Sequence, residues 1–243
     1  MFGIGLLACR RGITHEKRFS GEYDETPMTT PRTMRIHSVA TYYRILDALV
    51  RAGFGAVMRP RTIGKATAER LMLAVTQVNG CRYCSYLHTR LALRAGVEGD
   101  ETRALVAGNL QAAPRAEHTA LIFAQHVADT EGQPDAEAFE HVLAEYGPQA
   151  THEIMASIRA ILIGNIYGLA FDALLFRLRL RPVDGSGLWR ELAILVGSAV
   201  WGPVVVLRAL AWRALHRRLP PRDEVLALDG PPRAHVPHVS GSV

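Results

Sequence analysis

From residue 38 onward, apolar side chains return at helical spacing. Val39, Tyr42, Tyr43, Ile45, Leu46, Leu49 and Val50 recur every three or four positions, which predicts an amphipathic helix. Residues 53–64 hold three glycines and Pro60 and read as a loop or a broken helix. A second helix is expected over 66–78, nearly free of polar residues after Arg70. Asn79-Gly80 stops it in the manner of a left-handed cap. A third begins near Cys81 and runs to about Ala95, where Gly96 ends it. Further helices are expected over 101–110, 117–129 and 135–146. Gly147-Pro148 then breaks the chain ahead of a long apolar helix from Ala150 to about Leu178. No segment alternates with a period of two between turn signals, so the predicted fold class is all-α.

The C-terminal part follows a different pattern. Residues 192–207 contain no charge, are bracketed by Arg190-Glu191 and Arg208, and are interrupted by Gly202-Pro203. A membrane-spanning helix needs about 20 apolar residues, and this run has sixteen. It reads either as a buried or oligomer-facing helix or as an interfacial or marginal membrane helix. Arg213, Arg217 and Arg218 would suit an anionic membrane surface in the second case. The expected organisation is a disordered leader over 1–37, a helical domain over 38–182, an apolar helical extension over 183–219 and a disordered Pro-rich tail over 220–243. Leu6-Leu7-Ala8-Cys9 has the look of a lipoprotein cleavage site, but the apolar run before it is short and no basic residue precedes it.

Composition narrows the function classes. Of 243 residues, 49% are apolar and 21% charged, which is globular. The formal net charge of +5 is too small to argue for nucleic acid, and no basic helix is interleaved with aromatics. Only Cys9, Cys81 and Cys84 are present, too few for a disulfide framework in a chain this long. A single close pair in a cysteine-poor chain points to a reducing, cytoplasmic setting and to a catalytic or metal-binding role.

Cys81, Cys84 and His88 stand at relative positions 0, 3 and 7. On a helix these fall within an arc of about 60°. The cysteines occupy the first turn, where free N–H groups and the helix dipole favour an anion, so a thiolate is favoured there. His88, one turn beyond Cys84, is placed to take the thiol proton. Glu69 lies in the preceding helix, and a turn at Asn79-Gly80 would bring it towards His88, giving a nucleophile, a base and a group that orients the base. Other readings compete. The Cys-x-x-Cys-x-x-x-His run could be part of a zinc site, with Cys9 or His118, His126, His141 and His152 as further candidates. The pair could be purely structural. Glu69 could pair with Arg70 or Lys65 on a solvated face. His152-Glu153 lacks the second His of a zinc-protease helix, since Ala156 stands there. Gly164 and Gly168 have the spacing of close helix packing. Tyr83, between the cysteines, is placed to tune or cover them.

The string Glu69, eleven residues, Cys81-Arg82-Tyr83-Cys84-Ser85-Tyr86-Leu87-His88 resembles the signature of the carboxymuconolactone decarboxylase superfamily. More narrowly it resembles the alkyl hydroperoxidase D (AhpD)-like branch, with Gly80, Ala92 and Ala95-Gly96-Val97 in matching context. The resemblance covers residues 38–181. It implies an AhpD-like helical bundle that assembles as a trimer or a multiple of one, and a dithiol centre that reduces hydroperoxides. By matching positions, Cys84 would be the reactive thiol, Cys81 its resolving partner, and His88 with Glu69 the proton relay. A lipoyl group or a thioredoxin-like protein would return the electrons. No cofactor and no resident metal is implied. Where the best-characterised branch has a second His before the second Cys, this chain has Tyr83. The rival functions are a protein disulfide oxidoreductase with little peroxidase activity, a membrane-associated redox sensor that is not an enzyme, with 192–207 as its lipid contact, and a zinc-binding structural module.

Overall fold

The computed structural model describes residues 34–53, 56–57 and 60–215. All regular structure among them is helical, which makes the fold all-α. Helix α1 spans Val39–Ala52. Ser38 caps it, its hydroxyl accepting the Thr41 N–H at 2.9 Å. Tyr42, Ile45, Leu49 and Val50 face inward, as their spacing predicts. Helix α2, Gly64–Asn79, is apolar on nearly every side and sits at the centre. Leu71 to Val75 are all buried, packed against the helices that follow. Gly80 ends it at φ 72°, a backbone conformation that costs glycine little, with its N–H bonded to the Thr76 carbonyl at 2.8 Å.

Helix α3 spans Arg82–Arg94, α4 Gly99–Val106 and α5 His118–Asp129. The fourth is shorter than the sequence suggests. It starts two residues early, where Asp100 and Glu101 sit favourably in the first turn, and it stops at Val106 because Gly108 takes φ +89°. Residues Leu110–Ala112 form a separate 3-10 turn capped by the Asn109 side chain. The expected start of α5 at Glu117 is likewise replaced by a 3-10 turn, Arg115–Glu117.

Helix α6, Ala136–Leu178, is two helical stretches joined by a kink at the predicted break. Only Gly147 leaves helical geometry (φ 75°, ψ 169°), and Pro148 opens the second stretch, where a missing N–H costs nothing. This helix is long and apolar enough to cross a membrane, but 67% of its apolar window is buried inside the protein, so it is the core helix of the bundle. Glu153 on it is also buried. Its carboxylate accepts the N–H groups of Arg61, Thr62 and Ile63, tying down the loop before α2. Burial opposes its charge, but Gln149 and those N–H groups outweigh burial and hold the carboxyl below the usual range.

Two helices complete the described chain, α7 over Leu188–Leu195 and α8 over Gly197–Leu215. The uncharged run 192–207 is therefore divided between two helices. The axis also turns by 55° between Leu188–Val200 and Gly202–Arg208, where Gly202-Pro203 stand. Polar contacts hold this extension to the bundle. Arg177 grips the buried Glu191 with two 2.9 Å bonds. The Tyr43 hydroxyl donates to the Ala193 carbonyl, and Arg208 reaches Asp47 at 2.6 Å. The readings made for residues 1–33 and 216–243, including Cys9, Arg217 and Arg218, fall outside the described residues.

Candidate active site

The site is built on the reversal between α2 and α3. Gly80 turns the chain so that the helices run back along each other, and Cys81 caps α3. Cys81 has extended geometry (φ −77°, ψ 103°), and its Sγ accepts the Cys84 N–H at 3.3 Å. This corrects one expectation: Cys81 stands at the cap, just ahead of the helix, so the 100° register places only Cys84 and His88. Capping geometry brings Cys81 to Cys84. The two form a disulfide with Cα atoms 5.4 Å apart. Cys81 is 1% exposed and Cys84 8%, so Cys84 is the more accessible.

On the α2 side, Glu69 Oε2 meets His88 Nδ1 at 2.8 Å, with the two side chains 16% and 14% exposed. His88 is one turn beyond Cys84 on α3, and its Nε2 is the nitrogen Glu69 does not engage. Arg70 does not pair with Glu69. It points elsewhere, to Glu101 at 2.5 Å and Glu117 at 2.9 Å.

On the other side lies α6. Gly164, Gly168 and Asp172 are four residues apart and share one helix face. That face meets the cysteine turn step by step. A Cβ on Gly164 would lie 3.9 Å from Cys84 Sγ, and one on Gly168 would lie 2.7 Å from Cys81 Sγ. Asp172 Oδ1 accepts from Arg82 Nη2 at 2.5 Å and from the Tyr83 hydroxyl at 2.8 Å. The Tyr83 ring reaches the same spot, 3.7 Å from the Gly168 Cβ position, and lies 5.9 Å from Phe171 centre to centre. Burial and the bond to Asp172 push the Tyr83 hydroxyl above its ordinary pKa despite Arg82, so it stays a neutral donor. Thr76 of α2 donates to Asn165 at 3.2 Å, a buried polar link between α2 and α6.

Asp172 and Gly168 were missed as parts of the site. Asp172 had a signal, being the lone carboxylate in a long apolar stretch of helix. The remaining candidates have other occupations. His118 Nε2 bonds the Ala113 carbonyl at 2.9 Å, and His126 Nε2 accepts the Asp135 N–H at 3.1 Å. Glu153 caps a loop. Among the described residues, no group of three or more His, Cys, Asp or Glu side chains is placed to hold a metal ion. A groove of about 560 Å³ lined by Ile122, Phe123, His126, Asp135, His141 and Val142 shares no residue with the cysteine turn.

Fold and site together define an all-helical protein with a buried Cys-x-x-Cys disulfide at a helix N-terminus, flanked by a hydrogen-bonded carboxylate–imidazole pair. Residues 44–126, the segment that holds Glu69, Cys81, Cys84 and His88, match the model of the carboxymuconolactone decarboxylase family. No curated protein matches the chain, and no solved structure does. Gly164, Gly168 and Asp172 lie beyond the matched segment.

Proposed function

We propose that the protein is a thiol-dependent peroxidase of the AhpD-like type, reducing alkyl hydroperoxides through Cys84 and Cys81. The observation that carries the reading is the Glu69–His88 hydrogen bond one helical turn from a Cys-x-x-Cys disulfide.

In the reduced protein, His88 takes the Cys84 thiol proton, and Glu69 orients the imidazole and offsets its charge. The thiolate attacks the terminal peroxide oxygen. The O–O bond breaks, the alkoxide takes the proton from His88 and leaves as the alcohol, and Cys84 becomes a sulfenic acid. The Cys81 sulfur then displaces water and closes the disulfide. An external dithiol attacks Cys84, the more exposed residue of the pair, and Cys81 leaves as a thiolate. The Cys84 N–H that meets Cys81 Sγ stabilises that leaving group, as does the α3 N-terminus. The donor's second thiol completes the exchange, so two electrons pass from donor to peroxide.

The test is peroxide consumption with dihydrolipoamide as donor, in wild type and Cys84→Ser. The variant is expected to lose turnover altogether, and full turnover in it would sink the proposal. Disulfide exchange with a model protein disulfide that outpaces peroxide reduction would replace it with a disulfide oxidoreductase.

A further inference from the structure

The outer face of α7 and α8 inverts the usual pattern of a surface helix. Val204, Leu207, Ala211 and Leu215 fall within an arc of about 80° on α8, and all four are exposed. Leu207 is 68% exposed and Leu215 81%. Trp189, Val196 and Val200 continue the exposed apolar surface onto α7 and the first turn of α8. The opposite side of α8 makes the small and polar contacts, where Gly202 is buried and the Ser198 hydroxyl donates to the Tyr42 hydroxyl at 2.9 Å, while Arg208, exposed at the edge of the stripe, pairs with Asp47. A soluble surface helix buries its apolar stripe and exposes its polar one. Here the stripe is turned outward along a helix of 19 residues, a length of about 28 Å.

Charge identifies what covers it. Residues 177–218 carry eight arginines and two acidic residues, a net +6, while the whole chain carries +5, leaving −1 for all the rest. We infer that this face docks on an anionic lipid bilayer, with α7 and α8 lying in the interface and the arginines reaching the headgroups. A second copy of the chain meeting face to face would set two +6 segments against each other. A span is disfavoured by the 55° bend and by Arg208 within the segment.

The experiment is flotation of the full-length protein with vesicles of phosphatidylcholine alone or mixed with phosphatidylglycerol, read alongside Trp emission. Binding to the mixed vesicles is expected, at least about tenfold above neutral ones and weakened by salt, with a blue shift. Leu207→Asp and Leu215→Asp place charges on exposed positions. They are expected to keep the wild-type circular dichroism and melting temperature and to lose binding by about tenfold or more. Failure of wild type to float with either vesicle overturns the inference, as does equal binding to neutral vesicles or binding unchanged in both variants. Variants that reduce the oligomer's mass in light scattering, with vesicle binding intact, overturn it in favour of an interface between copies.

Discussion

Two polar groups flank the cysteine turn, and they differ in kind. On the α2 side, Glu69 and His88 bond only to each other among the contacts described, a carboxylate–imidazole pair of the sort that takes and returns a proton. On the α6 side, Asp172 is committed twice, to the fixed charge of Arg82 and to the neutral hydroxyl of Tyr83. The two proton donors of that group hold their protons: Arg82 is held above its ordinary pKa, with Asp172 and Tyr83 outweighing burial, and Tyr83 is raised too. On the function proposed above, one side moves protons while the other holds shape. The same helix N-terminus would then draw its chemistry from its hairpin partner and its packing from the core helix.

The largest effect that tests this contrast is on the α2 side. Glu69→Gln and His88→Gln should each lower kcat for peroxide reduction by about a hundredfold, the usual contribution of a positioned acid–base group. The double variant should fall little further, because the two act as a unit. Losses that multiply in the double variant would mean that the residues work separately and that the hydrogen bond between them is incidental.

The next effect is one of stability and belongs to α6. Alanine is favoured over glycine inside a helix by about 1 kcal/mol, so Gly168→Ala would ordinarily stabilise. Its Cβ, however, would sit 2.7 Å from Cys81 Sγ, and overpacking of that kind costs about 1–3 kcal/mol. A sulfur fixed in a disulfide cannot turn aside, whereas a thiol can. The melting temperature of Gly168→Ala should therefore fall by several degrees in the oxidised protein and much less in the reduced one. Gly164→Ala, with its nearest sulfur at 3.9 Å, should fall in neither state. Calorimetry with and without reductant reads all four cases, and equal losses for Gly168→Ala in both redox states would remove its link to the disulfide.

Much of this arrangement was legible because it is local. The Asn79-Gly80 stop, the Cys84–His88 spacing and the amphipathic α1 follow from residues a turn or two apart, where backbone geometry leaves few choices. Glu69 and His88 are nineteen positions apart, and a single tight turn joins their helices, but the residues alone favoured Arg70 or Lys65 as the partner of Glu69, and its place came mainly from the family resemblance. Asp172 lies 89 residues from Tyr83, and no local rule relates them. Glu153 bore the same mark as Asp172, a carboxylate in an apolar helix, yet it caps a loop. Which partner such a group finds is decided by tertiary packing. The cap position of Cys81 was hidden for a different reason, since helix ends shift by a residue or two. The direction in which α8 turns its leucines was equally unreadable, because an apolar side chain looks the same in sequence whether it faces the core or the solvent.

The smallest effect separates holding from proton transfer at Tyr83 itself. Tyr83→Phe deletes one hydrogen bond to Asp172, worth about 0.5–1.5 kcal/mol, while Arg82 continues to occupy the carboxylate and the ring keeps its place beside Phe171. Peroxide turnover should stay within a few-fold of wild type, and the disulfide should be reduced by a small external thiol at an unchanged rate. Tyr83→Ala removes the ring as well, and reduction should then quicken several-fold because the sulfurs lose a neighbour that covers them. If Tyr83→Phe instead lost as much turnover as Glu69→Gln, the hydroxyl would belong with the proton-handling pair. If Tyr83→Ala were reduced no faster than wild type, the ring would not be what shields the cysteines, leaving the Gly168 face of α6 as their cover.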